Sequence, residues 1–224
     1  MKRLYHWTMD PSARAVRLAL GELRYDVSLV LSPPQRPHPD VAQLAPGAFG
    51  VAYVEQGSHG RVVAIGARAI LEFLHESSAA PVILPSLPED RAEARRIWEW
   101  IDIRFAEVGA SLLQERLRQS LGRNHQPDSN ALRRGAHALR GALTFLNALA
   151  EQRPFLAGRN LSVADLVAAG YLSAFDYFGD VLWDSVPDVR DWYSRIKSRP
   201  SFRPLLSDVI TGARPVKHYA DIDF

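Results

Sequence analysis

The sequence predicts an α/β N-terminal domain followed by an all-helical C-terminal domain. Strand-like and helix-like patterns alternate over the first 76 residues, and a proline-punctuated segment follows at 81–88. Beyond it, apolar residues recur every three or four positions, the period of an amphipathic helix. We therefore assign 1–80 to the first domain, 81–90 to a linker, 91–210 to the helical domain and 211–224 to a C-terminal tail.

The first domain opens with a β-α-β pattern. Residues 2–7 read as a strand, 11–22 as a helix with an apolar side, and 26–31 as a second strand. Prolines between 33 and 39 predict a loop, because proline lacks an amide donor and restricts the residue before it. Two more strands are expected at 51–55 and 60–64, joined by the turn-rich residues 56–59. A helix at 67–76 completes this domain.

Two long helices dominate the pattern of the second domain. Apolar stripes mark them, one at Ile97, Ile101, Phe105, Val108 and Leu112, the other at Leu132, Ala136, Leu139, Leu143, Leu146 and Ala150. We interpret both stripes as core. Gly135 and Gly141 interrupt the second helix at a cost of about 1 kcal/mol each relative to alanine, so close packing is expected there.

A capping box is predicted where Ser162 and Asp165 precede the apolar stretch 166–175. The serine would cap the helix and the acid at its third position would bond back to the cap. We expect both residues to be buried and structural, and truncation of either to cost about 1 kcal/mol or somewhat more.

The composition excludes several kinds of site. The chain of 224 residues has no cysteine, which rules out disulfides, thiolate nucleophiles and thiolate metal ligands. Its seven histidines are scattered, so no metal site is expected. No stretch supplies the roughly 20 apolar residues of a membrane span, and a cytoplasmic location without membrane insertion is the expectation.

Positive charge is concentrated in one stretch although the net charge is only +2. Residues 116–140 contain six arginines and a single acid, Asp128, a net charge of +5. The simpler interpretation is a solvated helical face, and the sharper one is a docking ridge for an acidic partner. Nucleic acid is not expected, because aromatic residues do not alternate with the arginines.

The predicted order of elements and several motifs resemble the glutathione transferase family. The motifs are residues 16–20 in the first helix, 155–158 with 161–166 around the capping box, and 187–193 with 196–202 near the end. The resemblance covers roughly residues 2–206. It implies a thioredoxin-like N-terminal domain and an all-α C-terminal domain.

The resemblance fails at the positions where that family binds glutathione. A Ser, Tyr or Cys that stabilises the glutathione thiolate in the family is replaced here by Asp10, whose like charge opposes thiolate formation. Val51-Ala52 stands in place of a cis-proline, and we expect a trans peptide there. Ile65-Gly66 stands where the family has an acid-serine pair that grips a carboxylate. The expectation is a non-catalytic protein without a cofactor.

A closer resemblance is to the FtsZ-localized protein A group, transferase-like proteins of alphaproteobacterial cell division. It rests on Leu4-Tyr5-His6 with Asp10-Pro11, on 107–110 and above all on the ending 218–224. The resemblance implies binding to FtsZ filaments, an effect on their architecture, a link to septal wall synthesis and a homodimer. An active glutathione transferase that uses Ser12 or Thr8 is the alternative.

The C-terminal tail is the most specific part of this resemblance, and an apolar chain end needs something to hold it. We predict that it contacts the partner, with the arginine-rich stretch steering the encounter. The alternative is that the tail packs back onto its own helical domain, with its acids meeting the chain's own arginines. The predicted partner-binding residues are His218, Tyr219, Asp221, Ile222, Asp223, Phe224, Arg116, Arg118, Arg123, Arg133 and Arg134.

Overall fold

The computed structural model describes residues 1–44, 50–57, 60–78, 83–122 and 126–222. Its first part contains a four-stranded sheet in the order β2-β1-β3-β4. β1 pairs in parallel with β2 and antiparallel with β3, and β3 pairs antiparallel with β4. The strands are β1 (Lys2–His6), β2 (Ser28–Leu31), β3 (Ala52–Gly57) and β4 (Gly60–Ile65). Residues 58 and 59 of the predicted hairpin link lie outside the described residues.

Three helices accompany the sheet: α1 (Pro11–Glu22), α2 (Pro39–Leu44) and α3 (Ala67–Glu76). α1 and α3 have the predicted bounds. The sequence does not predict α2, since the prolines before it indicate a loop. Pro39 nevertheless starts the helix, because proline at the first helical position loses no intrahelical hydrogen bond.

The second part is helical. α4 begins at Pro88, so the end of the expected linker 81–90 already forms its first turn, while residues 81 and 82 lie outside the described residues. No helix of the described chain is long and apolar enough to cross a membrane. The helices are α4 (Pro88–Val108), a π-helical turn (Gly109–Leu113), α5 (Gln114–Leu121), α6 (Ser129–Gln152), α7 (Val163–Tyr177), α8 (Pro187–Lys197) and α9 (Arg203–Leu206), and short 3-10 turns lie at Trp183–Ser185, Pro200–Phe202 and Lys217–Ala220.

α7 lies at the centre of the molecule, because every residue along it is buried. It packs directly on α1, and this contact joins the sheet part to the helical part. A Cβ atom at Gly170 would lie 2.7 Å from the Pro11 carbonyl oxygen and 2.8 Å from the Ala15 nitrogen. The approach of α1 to α7 therefore requires a glycine at this position.

The two glycines of α6 have different environments. A Cβ at Gly135 would lie 2.6 Å from the Leu112 Cβ, so close packing occurs there as predicted. Gly141 is exposed, and a Cβ added to it would meet no described atom within 4 Å. The prediction of close packing is therefore wrong at Gly141.

The start of α7 has a capping box, and Ser162 and Asp165 are both fully buried. The Asp165 carboxylate accepts hydrogen bonds from the Ser162 amide (2.8 Å) and hydroxyl (3.0 Å). It also accepts from the Leu156 amide (2.8 Å) and from Nε1 of Trp192 in α8 (2.9 Å). Asp165 therefore ties three segments together in addition to capping α7.

Candidate functional site

A cleft of about 320 Å³ lies between the sheet part and the helical part. Trp7 and Asp10 line it from the end of β1 and the start of α1, and Leu113 and Tyr171 line it from the helices. This is the place where the sequence resemblance puts a transferase active site. Of the three predicted departures, Asp10 lines this cleft, whereas residues 51–52 and 65–66 are not among its described lining residues.

Asp10 caps α1, and its Oδ1 accepts a hydrogen bond from the Ser12 amide at 3.2 Å. Its Oδ2 is buried and has no hydrogen-bond partner among the described residues. Burial raises the pKa of Asp10 to about 6. At pH 7 the carboxyl is therefore mostly ionised, and its charge opposes a thiolate in the cleft.

The two hydroxyls of the alternative hypothesis have different surroundings. Ser12 is the second residue of α1, and burial raises the pKa of the neighbouring Tyr171 hydroxyl. Thr8 lines a neighbouring cavity of about 250 Å³, and its carbonyl accepts from Arg14 at 3.0 Å. Among the described residues, neither hydroxyl lies beside a base that would activate a nucleophile in the manner of a catalytic dyad.

The segment before β3 lacks the family's peptide-binding features. The Val51-Ala52 peptide is trans, as predicted. The Val51 carbonyl accepts a hydrogen bond from the Gly66 amide at 2.9 Å, so this backbone group is used within the chain. Gly66 precedes α3 with φ of 84°, and no side chain caps that helix. Ile65 and Gly66 thus offer no side-chain group to a carboxylate.

The cleft is lined mainly by apolar residues and contains one buried carboxyl, that of Asp10. The described residues contain no cluster of three or more His, Cys, Asp or Glu side chains that would hold a metal ion. The negative charge of Asp10 disfavours a thiolate in this cleft.

The arginine-rich stretch divides into paired and exposed side chains. Arg116 makes hydrogen bonds of 2.6 to 3.2 Å with Asp180, which is nearly buried, so it is engaged within the fold. Arg118 is exposed beside Glu115 at 3.8 Å. Arg133 and Arg134 are exposed on α6, and Arg133 donates to Asn130 at 2.6 Å. The predicted Arg123 lies outside the described residues.

Tyr219 is buried in its own chain. Its hydroxyl donates to the Leu205 carbonyl at 3.1 Å and accepts from Arg14, and its ring meets Tyr177 edge-on at 5.2 Å between centroids. In this conformation the Tyr219 side chain presents no surface to a partner. The tail thus packs on its own chain, which is the arrangement of the alternative hypothesis, and Tyr219 makes the contact with a buried arginine.

His218 lies half-exposed beside this contact. Its Nε2 is 3.0 Å from Oδ1 of Asp176, and its carbonyl accepts from Nζ of Lys197 at 3.2 Å. Asp221 and Ile222 follow, both exposed, with 38% of the Ile222 surface open to solvent. Asp223 and Phe224 lie outside the described residues. Of the predicted tail contacts, Asp221 and Ile222 are therefore the described ones that stay accessible.

Sequence reasoning missed the group that receives the tail. Arg14 and Arg17 are both buried on α1, and both form ion pairs with Asp208, at 2.9 and 2.7 Å. The available signal was the pair of arginines inside the otherwise apolar run 13–20, where a buried charge requires a partner. The identity of that partner, 194 residues away from Arg14 along the chain, had no local signal.

Comparison with known proteins confirms the predicted fold. Residues 114–200 match the family model described as glutathione S-transferase, C-terminal domain. Over 225 residues the chain is 42% identical to FtsZ-localized protein A of Caulobacter vibrioides (strain NA1000 / CB15N), covering 100% of this chain and 98% of that one.

Two solved structures extend the comparison to three dimensions. FzlA from C. crescentus superposes with a TM-score of 0.94 at 41% identity, covering 100% of this chain and 99% of that one. A glutathione S-transferase from Rhodospirillum rubrum F11 superposes with a TM-score of 0.92 at 38% identity, over 100% of both chains. Identity at this level along the full length exceeds what a shared fold alone requires. The chain therefore belongs to the FtsZ-localized protein A family, which is built on the glutathione S-transferase fold.

Proposed function

We propose that this protein is a non-catalytic adaptor of cell division that binds FtsZ filaments at the division site. The observation that carries the proposal is its full-length relation to FtsZ-localized protein A at 42% identity. The replaced transferase positions support it, because Asp10 and the Ile65-Gly66 pair lack the groups that would hold glutathione. In the cell the protein acts in the cytoplasm, modulates filament architecture and links the division ring to septal wall synthesis.

The proposed filament contact comprises the accessible part of the tail and the exposed arginines. Asp221 and Ile222 supply a charged and an apolar group at the chain end. Arg118, Arg133 and Arg134 attract an acidic filament and act mainly on the rate of encounter. Arg116 has no part in the contact, because Asp180 already engages it.

Co-sedimentation with GTP-assembled FtsZ filaments tests this contact. Removal of 218–224 deletes the buried Tyr219, so a surface variant carrying Asp221→Lys and Ile222→Asp is the cleaner change. We expect it to bind filaments at least tenfold more weakly than the parent. Val209→Asp is the matched control, since Val209 is an apolar residue 70% exposed outside the tail.

The tail contact would be refuted if the surface variant co-sedimented with filaments as well as the parent does. Its unfolding midpoint should be unchanged in that comparison. Arg133→Glu with Arg134→Glu should weaken binding more at low salt than at high salt, because exposed charges are screened. Glutathione at millimolar concentration should leave all of these affinities unchanged.

We further propose a homodimer, which would double the filament contacts and raise avidity. The α3–α4 face offers exposed Ile103 on α4, near the pair of Arg68 with Glu99. Ile103→Glu should shift the mass measured by light scattering from dimer towards monomer, and an unchanged mass would exclude this face.

An active glutathione transferase is the second candidate. The R. rubrum relative described as a glutathione S-transferase, at 38% identity, favours it. Saturable conjugation of glutathione that is lost in Ser12→Ala or Thr8→Ala, with filament binding intact, would support this candidate. Absence of retention on immobilised glutathione would count against it.

A further inference from the structure

A buried polar network surrounds Arg14 and includes the tail. The Arg14 side chain is fully buried, and Nε donates to the Ser173 hydroxyl of α7 at 2.7 Å. Nη1 donates to Asp208 at 2.9 Å, and Nη2 donates to the Tyr219 hydroxyl. A buried charge is tolerated only with such partners. Arg14 therefore joins α1, α7 and the tail in one network.

A second buried cation reaches the same turn of the tail from α8. Lys197 and Asp176 are both fully buried, with Nζ 3.7 Å from Oδ2. Nζ donates to the His218 carbonyl, and it lies 5.8 Å from the centroid of the Tyr219 ring. The 3-10 turn at Lys217–Ala220 is thus held by charges from two different helices, in addition to apolar packing.

We propose that Arg14 and Asp208 act as positioning residues for the filament contact: through Tyr219 they fix the tail turn, so that Asp221 and Ile222 are presented in one conformation. This inference rests on the proposed function. A contact segment that is ordered before binding loses less conformational entropy on binding than a free chain end does. Because Arg14 belongs to α1, the tail is displayed in this way only when the sheet part and the helical part are assembled.

Tyr219→Phe is the sharpest test, because it removes the hydroxyl contacted by Arg14 and Leu205 and keeps the ring in place. We expect faster amide hydrogen exchange at Tyr219 and Asp221, whose amides bond within the turn at 3.0 Å. Filament affinity should fall about tenfold. Tyr53→Phe is the matched control, since Tyr53 is also fully buried but its hydroxyl bonds Glu55 in the sheet.

Several outcomes would overturn the proposal. Unchanged exchange in the tail of Tyr219→Phe would show that the network does not hold the turn. Faster exchange with unchanged affinity would show that tail order is irrelevant to binding. An equal loss of filament affinity in Tyr53→Phe would show that Tyr219→Phe weakens binding only through general destabilisation of the protein. Asp208→Asn, which weakens the partner of Arg14 and Arg17, should reproduce the result of Tyr219→Phe if the inference is right.

The same measurements separate this inference from the proposed function. If the Asp221→Lys and Ile222→Asp variant binds like the parent while its tail stays protected from exchange, the filament contact itself is refuted. If that variant binds weakly and Tyr219→Phe binds like the parent, the contact stands and the positioning role is refuted.

Discussion

Replacement of Asp165 by alanine should destabilise this protein far more than loss of an ordinary helix cap. The carboxylate accepts four hydrogen bonds, from the Ser162 amide and hydroxyl, the Leu156 amide and the Trp192 indole. Asp165→Ala leaves three of these donors buried in positions where they cannot rotate away. An unsatisfied buried donor costs about 1 to 3 kcal/mol, so three such donors together cost about 3 kcal/mol or more.

We therefore expect Asp165→Ala to lower the free energy of unfolding by about 3 kcal/mol or more, above the value of about 1 kcal/mol for a simple cap. Ser162→Ala should cost only about 1 kcal/mol, because one hydroxyl is lost and the carboxylate keeps three donors. Asp165→Asn should fall between them, since the amide oxygen keeps some of the bonds.

Urea unfolding followed by circular dichroism measures these differences, with the m-value checked for each variant. The reasoning is refuted if Asp165→Ala costs no more than Ser162→Ala. It is also refuted if Asp165→Asn is as destabilised as Asp165→Ala, because the oxygen left in place would then contribute nothing.

The packing and the charges lead to three more expected outcomes. Gly170→Ala should cost about 1 to 3 kcal/mol of unfolding free energy, because its Cβ would meet backbone atoms of α1. Gly141→Ala, in open space, should instead stabilise the protein by up to about 1 kcal/mol. Equal urea midpoints for the two variants would contradict this. Asp10 has a folded pKa raised to about 6 from 3.8, so its contribution to stability is lost as pH rises from about 4 to 6. Asp10→Asn should therefore gain stability relative to the parent across that window. A difference in unfolding free energy between the two proteins that stays constant from pH 4 to pH 7 would exclude a raised pKa of Asp10. Arg116→Gln should lower the unfolding free energy by about 1 to 2 kcal/mol through loss of its Asp180 contact. Arg134 is exposed, so Arg134→Gln should change it by less than about 0.5 kcal/mol. Thermal or urea unfolding measures both values.

Elements with local signals were predicted well from the sequence. α1 begins at Pro11 after the capping Asp10, and α3 begins after Gly66, which has no side chain and a positive φ. Their bounds match the prediction because caps and proline act within a few residues. α2 was missed because proline-rich sequence indicates a loop, although Pro39 occupies the one helical position that tolerates it.

The candidate site was predictable in its residues and only partly in its contacts. Asp10, Val51-Ala52 and Ile65-Gly66 were identified from the sequence, because they replace residue types with a defined chemistry. The contact between Tyr219 and Arg14 was not predictable, since 205 residues separate them and the apolar run around Arg14 does not indicate which residue pairs with it. The pairing of Arg116 with Asp180 was not predictable for the same reason, because Asp180 lies 64 residues further along the chain.

The π-helical turn at Gly109–Leu113 has an evolutionary consequence for the cleft. Such a turn amounts to one residue inserted into a continuous helix, and it rotates everything downstream by about 100°. The turn supplies Leu113 to the cleft wall, and Gln114 follows it there. Deletion of one residue here would turn the buried Leu117 away from its present site. A single codon gained or lost can thus remodel this wall in one step, where point substitutions would change it one side chain at a time.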